Sequence, residues 1–589
     1  MDSRSSWLWQ TAALLFCSFF TPSLESEDRK PNVILVITDD QGYGDVGAHG
    51  NSMIKTPNLD KLHSVSIRLT DFHVDPTCSP TRSALMTGRY STRTGVWHTI
   101  MGRSIMEGSE LTLAEIFKAN GYATGMYGKW HLGDNYPCRP QDQGFDKTFY
   151  HGGGGIGQTP DFFGNDYFDD TYFRDGKAEK AEGYCTDVWF KEALNFIEKN
   201  KKKPFFAYLS TNAPHDPFLV DDSYRTPYLK KGVQRTMASF YGMITNIDEN
   251  MGRLMKRLEE LKLKENTILV FMTDNGTAAG APRGSRGKEK TDNTSNNWAG
   301  FNAGMKGQKG SKYDGGHRVP FFIHWPAGGL HGGRDLDTLS AHIDVLPTLV
   351  ELSGIKHPDK GALPIDGASL AALLRGKEPA WPDRTLFVHS QRIEQVKKGR
   401  SNSVMTKRWR LVNNKELYDI TADPGQMKNI ASRHQDVVKT LNAAYDGWWQ
   451  SLSPVFTRTV HLTLGNDAEN PSTLTCHDWH TNNGEVPWNH DHIRKGSVAN
   501  GFWAVNIEKR GKYEFTLRRW PAEENRALGA TAARIRIGKL EESQPVAPDK
   551  TSTVFRLDVP AGQTRLQTWL DRKDGKTCGA YFVEVKRLD

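Results

Sequence analysis

The sequence predicts a two-part molecule: a large α/β domain with a mixed, mostly parallel sheet between helices, then a C-terminal antiparallel β-sandwich. Three observations carry that expectation. The 589 residues exceed what one ordinary core serves. Continuous aliphatic and β-branched runs alternate with helical stretches through most of the chain, as strands buried on both faces of a parallel sheet do. After roughly residue 455 the pattern changes to short segments of alternating polarity. The predicted division is therefore an export signal over 1–26, a large domain over 27–455 and a β domain over 456–589.

In chain order, Arg4 precedes the apolar run Trp7 to Phe20, and Thr21 to Ser26 offers small residues for cleavage. This reads as a signal peptide, its apolar part too short for a membrane anchor. The mature chain is expected to be secreted or periplasmic, with no membrane span. The run Asn32 to Thr38 ends abruptly in Asp39-Asp40-Gln41-Gly42. Pro204 to Ser210 runs into Thr211-Asn212-Ala213-Pro214-His215, and Thr267 to Thr273 ends in Asp274-Asn275-Gly276. Val188 to Lys199 carries apolar residues on one helical face, and Met237 to Leu263 reads as a longer helix with room for an interruption. Gly152 to Gly157 and Gly280 to Asn297 read as loops, the second holding the sequon Asn293-Thr294-Ser295. Beyond residue 455, strands are expected at 503–507, 513–517, 533–537, 555–559 and 581–585.

Composition narrows function only a little. Hydrophobic residues at 37% and charged ones at 25% make a globular chain, not a disordered one. The formal net charge of +7 is scattered, so it favours anionic substrates weakly, and no nucleic-acid motif accompanies it.

Ligands of α/β sheets gather where the parallel strands' carboxyl ends open. Asp39, Asp40, Asp274 and Asn275 stand at two such ends and are hard oxygen donors, suited to Ca²⁺ or Mg²⁺. Each pair alone is more often a turn; the two together favour a metal. Cys78-Ser79-Pro80-Thr81-Arg82 is followed by Ser-Ala-Leu-Met-Thr-Gly-Arg, with Pro80 suited to a first helical turn and Gly88 to its end. Cys78 would then sit at a helix N-terminus, where backbone N–H groups favour anions. A structural cysteine, a thiolate nucleophile and a modified residue all remain open from the residues themselves.

Taken as a set, these segments resemble the type I sulfatase family of the alkaline phosphatase superfamily. Cys78-Ser79-Pro80-Thr81-Arg82 resembles its Cys-x-Pro-x-Arg motif, whose cysteine a dedicated formylglycine-generating enzyme oxidises to 3-oxoalanine (formylglycine). Pro31 to Asp45 is similar to the first metal segment, Gly128 to Gly133 to the Gly-Lys-Trp-His segment, and Ala213 to Pro217 to the Pro-His segment. Thr273 to Gly276 is similar to the second metal segment, and Gln308 to Gly316 with Arg318-Val319-Pro320 to the Lys-Gly…Gly-Gly segment. Glu416 to Asp419 with Asp423-Pro424 resembles a late Leu-Tyr-Asp element; the matches keep family order over about residues 31–435.

The resemblance implies an alkaline-phosphatase-like fold and calcium-dependent hydrolysis of sulfate esters. One Ca²⁺ would lie on Asp39, Asp40, Asp274, Asn275 and the modified Cys78. A hydrated aldehyde at 78 would attack sulfur and later expel sulfate as the carbonyl reforms, which a serine could not do. Arg82 would steady the diol, Lys129 and Lys309 would clamp sulfate oxygens, His215 would protonate the leaving alcohol and His131 would take the proton that triggers elimination. The substrate is expected to be a sulfated carbohydrate. The nearest alternative is a formylglycine-dependent phosphodiesterase or phosphonate hydrolase; a farther one is a non-catalytic carbohydrate-binding protein on the same scaffold.

Other residues carry lesser expectations. His98 could touch substrate, and His151 lies near the sulfate pocket without a role. The stretch Cys476-His477-Asp478-Trp479-His480, with His490 and His492, fits no standard metal spacing and reads as a loop or a sugar-contacting surface. Trp479 and Trp488 could stack on sugars, whereas Trp503 reads as core. With Cys17 removed and Cys78 consumed, four cysteines remain; pairs Cys138–Cys185 and Cys476–Cys578 are expected, since each stays within one domain.

Overall fold

A computed structural model describes residues 29–281, 298–358, 363–377, 381, 383–482, 484 and 486–589. The expected export signal and the sequon lie outside the described residues. At its centre is a ten-stranded sheet. Its strands are β1 (Asn32–Thr38), β2 (Ile67–Leu69), β3 (Ala123–Lys129), β4 (Lys147–His151), β5 (Thr171–Arg174), β6 (Lys177–Lys180), β7 (Phe205–Ser210), β8 (Thr267–Thr273), β9 (Phe321–His324) and β10 (Arg334–Leu336). Their spatial order is β10-β2-β9-β8-β1-β7-β3-β4-β5-β6. The five central strands, β8-β1-β7-β3-β4, are all parallel. Antiparallel pairings appear only toward the margins, at β9 on one side and β5 and β6 on the other.

The runs of apolar residues follow from this position. Val33, Leu35 and Ile37 pack into one core with Phe206, Tyr208, Ile268 and Val270. Ile34 and Val36 point the other way, into a second core with Phe205, Ala207, Leu209 and Phe271. A strand covered on both faces needs apolar side chains at both phases of its period of two. Helix α1 (Cys78–Thr87) adds Leu85 and Met86 to the first core. Helices α2 (Cys185–Asn200) and α3 (Arg235–Glu260) cover the second core through Val188, Trp189, Met243 and Ile247. The long helix, for which the sequence left an interruption open, runs 26 residues without one as α3. A smaller antiparallel sheet, residues 386–389, 402–405, 409–412 and 416–419, packs on helix α4 (Gln435–Leu452).

The C-terminal region builds two further sheets over one shared core containing Trp503, Phe515, Ile535, Leu566 and Val583. All but one of their pairings are antiparallel; the exception is residues 462–464, which run parallel to 502–507. A strand entering from the large domain has no hairpin to dictate its direction, so local patterning could not foretell this. Trp479 is a correction as well, being fully buried and edge-on to Trp503 at 5.5 Å, so it cannot stack on a sugar.

The cysteines also depart from expectation, since all five described ones are free thiols. Cys138 lies beneath Trp130, whose indole N–H donates to its carbonyl at 2.8 Å, in the core shared with the C-terminal sheets. Cys185 begins α2 in the core across the sheet and receives a hydrogen bond from Asn212 at 3.5 Å. Cys476 and Cys578 share a core, but the Cys476 thiol donates to the Pro487 carbonyl at 3.1 Å. Shared membership of a domain does not bring two Sγ atoms into bonding range. No helix among the described residues is long and apolar enough to cross a membrane.

Candidate active site

Each of the five parallel strands leads at its carboxyl end to a polar or charged side chain singled out from the sequence, although His151 had no role assigned to it. β1 leads into Asp39 and Asp40, β8 into Asp274 and Asn275, and β7 toward His215. β3 ends on Lys129 with His131 just beyond, and β4 ends on His151. The register is level across the edge, with Thr38 opposite Thr273 and Lys129 opposite His151. Cys78 enters from above as the first residue of α1, whose end is closed by Gly88 at φ 68°. It is buried, and its thiol donates to Asp39 Oδ1 at 3.4 Å. Burial, with the Asp39 charge added, pushes that thiol far above its usual pKa, so it is not a ready thiolate.

The donor groups converge closely. One ligand atom each from Asp39, Asp40, Cys78 and Asp274 all lie within 4.8 Å of one another. Asn275 Nδ2 donates to Asp40 Oδ1 at 2.8 Å, leaving its buried Oδ1 without a hydrogen-bond partner. Three buried carboxylates beside an orphaned amide oxygen form a hard, anionic donor set that fits Ca²⁺ or Mg²⁺. Burial and the neighbouring Asp39 charge lift Asp274 to about 6, against the pull of Arg82. For Asp40 burial acts upward too, but Lys309, His215 and Lys129 outweigh it and hold the carboxyl well below its usual range.

Two lysines and an arginine lie among these acids. Lys129 Nζ donates to Asp39 Oδ2 at 2.5 Å, and Lys309 Nζ to Asp40 Oδ2 at 2.6 Å. Arg82 is wholly buried; it donates to Asp274 Oδ2 at 2.8 Å, to the Lys129 carbonyl at 3.2 Å and to the Ser210 hydroxyl. Its guanidinium braces the strand ends, and no hydrogen bond joins it to Cys78. Ser210 is a site residue that the sequence reading passed over, because a serine ending a strand carries no motif.

Both histidines have one ring nitrogen committed to a backbone carbonyl. His215 Nδ1 donates to the Asp216 carbonyl at 2.6 Å, which turns Nε2 toward Asp40 at 3.7 Å. His131 Nε2 donates to the Thr99 carbonyl at 2.9 Å, leaving Nδ1 without a partner. Burial first, then the positive charge of Lys309 for His215 and Lys129 for His131, drives both pKa values down, so both rings are neutral at pH 7. His131 sits at φ 60° against Gly154, where a Cβ would run into its imidazole. His151 is buried behind the site with Nδ1 on the Gly152 carbonyl at 2.9 Å.

Part of this cluster lines the floor of a cavity of about 1120 Å³. Cys78, Asp40, His131, His215 and Lys309 reach it, as does His98. Apart from Trp488, its outer wall was not foreseen. One part comes from Arg392, Glu394 and Arg400; another comes from the C-terminal region through Thr481, Asn482 and Trp488. His477 and His480 hold structural positions nearby, His477 paired with Asp478 at 2.9 Å and His480 with Glu394 at 3.0 Å.

A doubly covered parallel sheet with a hard-metal donor set and a buried cysteine at its carboxyl edge defines an ester hydrolase of the alkaline-phosphatase-like fold. The family model described as Sulfatase matches residues 31–355, and one for the C-terminal part of N-sulphoglucosamine sulphohydrolase matches residues 308–446. This chain belongs to the sulfatase family and is a sulfuric ester hydrolase. It is 28% identical to an ulvan-active sulfatase of Formosa agariphila, over 80% of this chain and 92% of that one. It is 30% identical to human arylsulfatase A, over 63% of this chain and 72% of the other. Among solved structures, Ps i-CgsB in complex with k-i-k-neocarrahexaose superposes with a TM-score of 0.62 at 28% identity, covering 71% of this chain and 93% of that one.

Proposed function

We propose that this chain hydrolyses sulfate monoesters of carbohydrates through a formylglycine made from Cys78, beside a Ca²⁺ held by Asp39, Asp40, Asp274 and Asn275. The observation that carries this reading is the cluster of Cys78, three carboxylates and two lysines, which reaches the cavity floor through Cys78, Asp40 and Lys309. Formylglycine would supply, as its hydrate, a nucleophile able to release sulfate again by elimination. The cation would draw charge from the sulfate oxygens and offset the repulsion among the carboxylates.

The chain's own side chains supply the rest. Lys129 and Lys309 hold sulfate oxygens, each ammonium already drawn to the site by a carboxylate, Lys129 by Asp39 and Lys309 by Asp40. Arg82 keeps Asp274 and Ser210 in place. His215, with Nδ1 anchored, presents Nε2 to the leaving oxygen; burial and then the Lys309 charge lower its pKa, and a bound sulfate anion would offset the second of these. His131, with Nε2 anchored on Thr99, has Nδ1 available to receive a proton.

The names of the ulvan-active relative and of the neocarrahexaose complex support a sulfated polysaccharide as substrate class. The same reading takes residues 27–455 as the catalytic domain and 456–589 as an accessory β domain. It also takes residues 1–26 as an export signal, making the protein secreted or periplasmic, and requires a formylglycine-generating enzyme as maturation partner.

The test uses protein co-produced with such an enzyme. Release of one aryl alcohol is compared from its sulfate monoester and from a phosphate diester, with and without Ca²⁺. Faster, Ca²⁺-dependent release from the sulfate is expected, and Cys78→Ala should abolish it while the protein stays folded. Faster release from the diester would overturn the substrate class in favour of phosphoryl transfer.

A further inference from the structure

The cavity is larger than a single sulfate ester needs; ligand pockets commonly hold about 300–1,000 Å³, and this one measures about 1120 Å³. Its wall is charged in a particular way. Three acids line it: Asp40 is matched by Lys309, Glu394 by Arg103 at 2.8 Å and His480 at 3.0 Å, and Asp216 lies 3.2 Å from His215 Nδ1. Of the cations, Arg392 and Arg400 make no ion pair among the described residues. Arg400 is aimed by a hydrogen bond to the Gln391 carbonyl at 2.6 Å, and the Arg392 backbone N–H donates to the Trp97 carbonyl at 3.2 Å. Burial holds the pKa of His98 down at about 3, and the charges of Arg392, His477 and Arg400 lie close enough to add to that effect.

The opposite source of wall is rigid as well. Thr159 donates from its backbone to the Trp488 carbonyl at 2.9 Å and from its hydroxyl to the Pro487 carbonyl at 2.7 Å. The His490 N–H reaches the Gly157 carbonyl at 3.0 Å. Trp488 is therefore a half-buried aromatic face fixed in the cavity by both parts of the molecule.

We infer that Arg392 and Arg400 form an anion-binding subsite beside the reaction centre, with Trp488 as a stacking face for the sugar, so that the carbohydrate carries a second anionic group. That group is a sulfate or a carboxylate, both of which suit the planar donors of arginine. This rests on the sulfatase reading for the reaction centre but not on turnover.

The experiment measures binding in full-length Cys78→Ala protein by calorimetry. Three probes share one backbone: a monosulfated disaccharide, its disulfated form, and a monosulfated form with a uronate carboxylate. One or both doubly anionic probes should bind about tenfold to a hundredfold more tightly than the monosulfated one, with the advantage shrinking as salt rises. Which of the two gains more identifies the anion. Adding Arg392→Ala should reduce that advantage to within about threefold, whereas Trp488→Ala should weaken all three probes alike and leave the ratio standing. An equal ratio with and without Arg392, or no preference at the outset, overturns the subsite. Circular dichroism of each variant separates lost binding from lost fold. Aryl sulfate turnover with Cys78 intact reports separately on the sulfatase reading.

Discussion

Gly154 shows how a residue without chemistry can govern the reaction. Its Cα hydrogen faces the His131 ring, and any Cβ there would overlap the imidazole. Gly154→Ala should lower kcat/KM by about tenfold or more by displacing that ring, while thermal unfolding shifts little; unchanged kinetics would show that the ring has room to move. Asp45 makes a different point. It is buried, accepts from the Gly42 N–H at 2.8 Å, and burial raises its pKa to about 7. Since its folded pKa lies above the unfolded value, the native state holds the proton longer, and this carboxyl's contribution to stability declines as pH rises from about 4 to about 7. Asp45→Asn should therefore gain stability relative to the parent at pH 8 compared with pH 5, measured by urea unfolding at both. A difference independent of pH would place the Asp45 titration elsewhere.

At the scale of elements, the strand ends explain why the residues proposed to hold the cation could be read from sequence. β1 and β8 are continuous apolar runs terminated by acids, and their limits in the structure match the expected ones residue for residue. An interior strand has no polar phase, so its end is the first place an acid is tolerated, and the pattern marks it. β2, β5, β6 and β10 are short or partly exposed, with no such contrast to mark them. The strand ends also predict a response to metal. Three carboxylates held together by β1 and β8 repel one another, so Ca²⁺ at about a hundred times its dissociation constant should stabilise the fold by about 2.7 kcal/mol. Chelator should lower the melting temperature and Ca²⁺ restore it, and Asp40→Asn should blunt the response. Identical melting with chelator and with millimolar Ca²⁺ would reject this donor set as a cation site.

At the scale of the whole molecule, the C-terminal β region is part of the catalytic body. Its core takes in Ile100, Met101, Ile105, Cys138 and Phe163 from the preceding domain. Arg103, Glu394 and His480 then tie the two parts beside the cavity. Ending the chain at residue 455 would bare that apolar surface and remove one cavity wall. A truncated protein is expected to aggregate or to unfold at lower temperature, and the full chain should melt in one calorimetric transition. Two separated transitions would mean that the shared core contributes little.

The sequence by itself determined the α/β class, the positions of three central strands along the chain, the place of Cys78 at a helix start and the acids at the strand ends. These are local signals: a periodicity, a terminator or a motif of adjacent residues is complete within a few positions. Tertiary structure alone decided the rest. The cysteines proved unpaired because pairing needs two Sγ atoms in contact, which domain membership does not supply. Trp479 became core and Trp488 a cavity wall, although both are tryptophans in one loop-rich stretch. Arg392 and Arg400 acquired meaning only when the fold set them beside the reaction centre without carboxylate partners among the described residues. Contacts between residues hundreds of positions apart depend on how the two parts of the chain meet, and no window of sequence contains both sides.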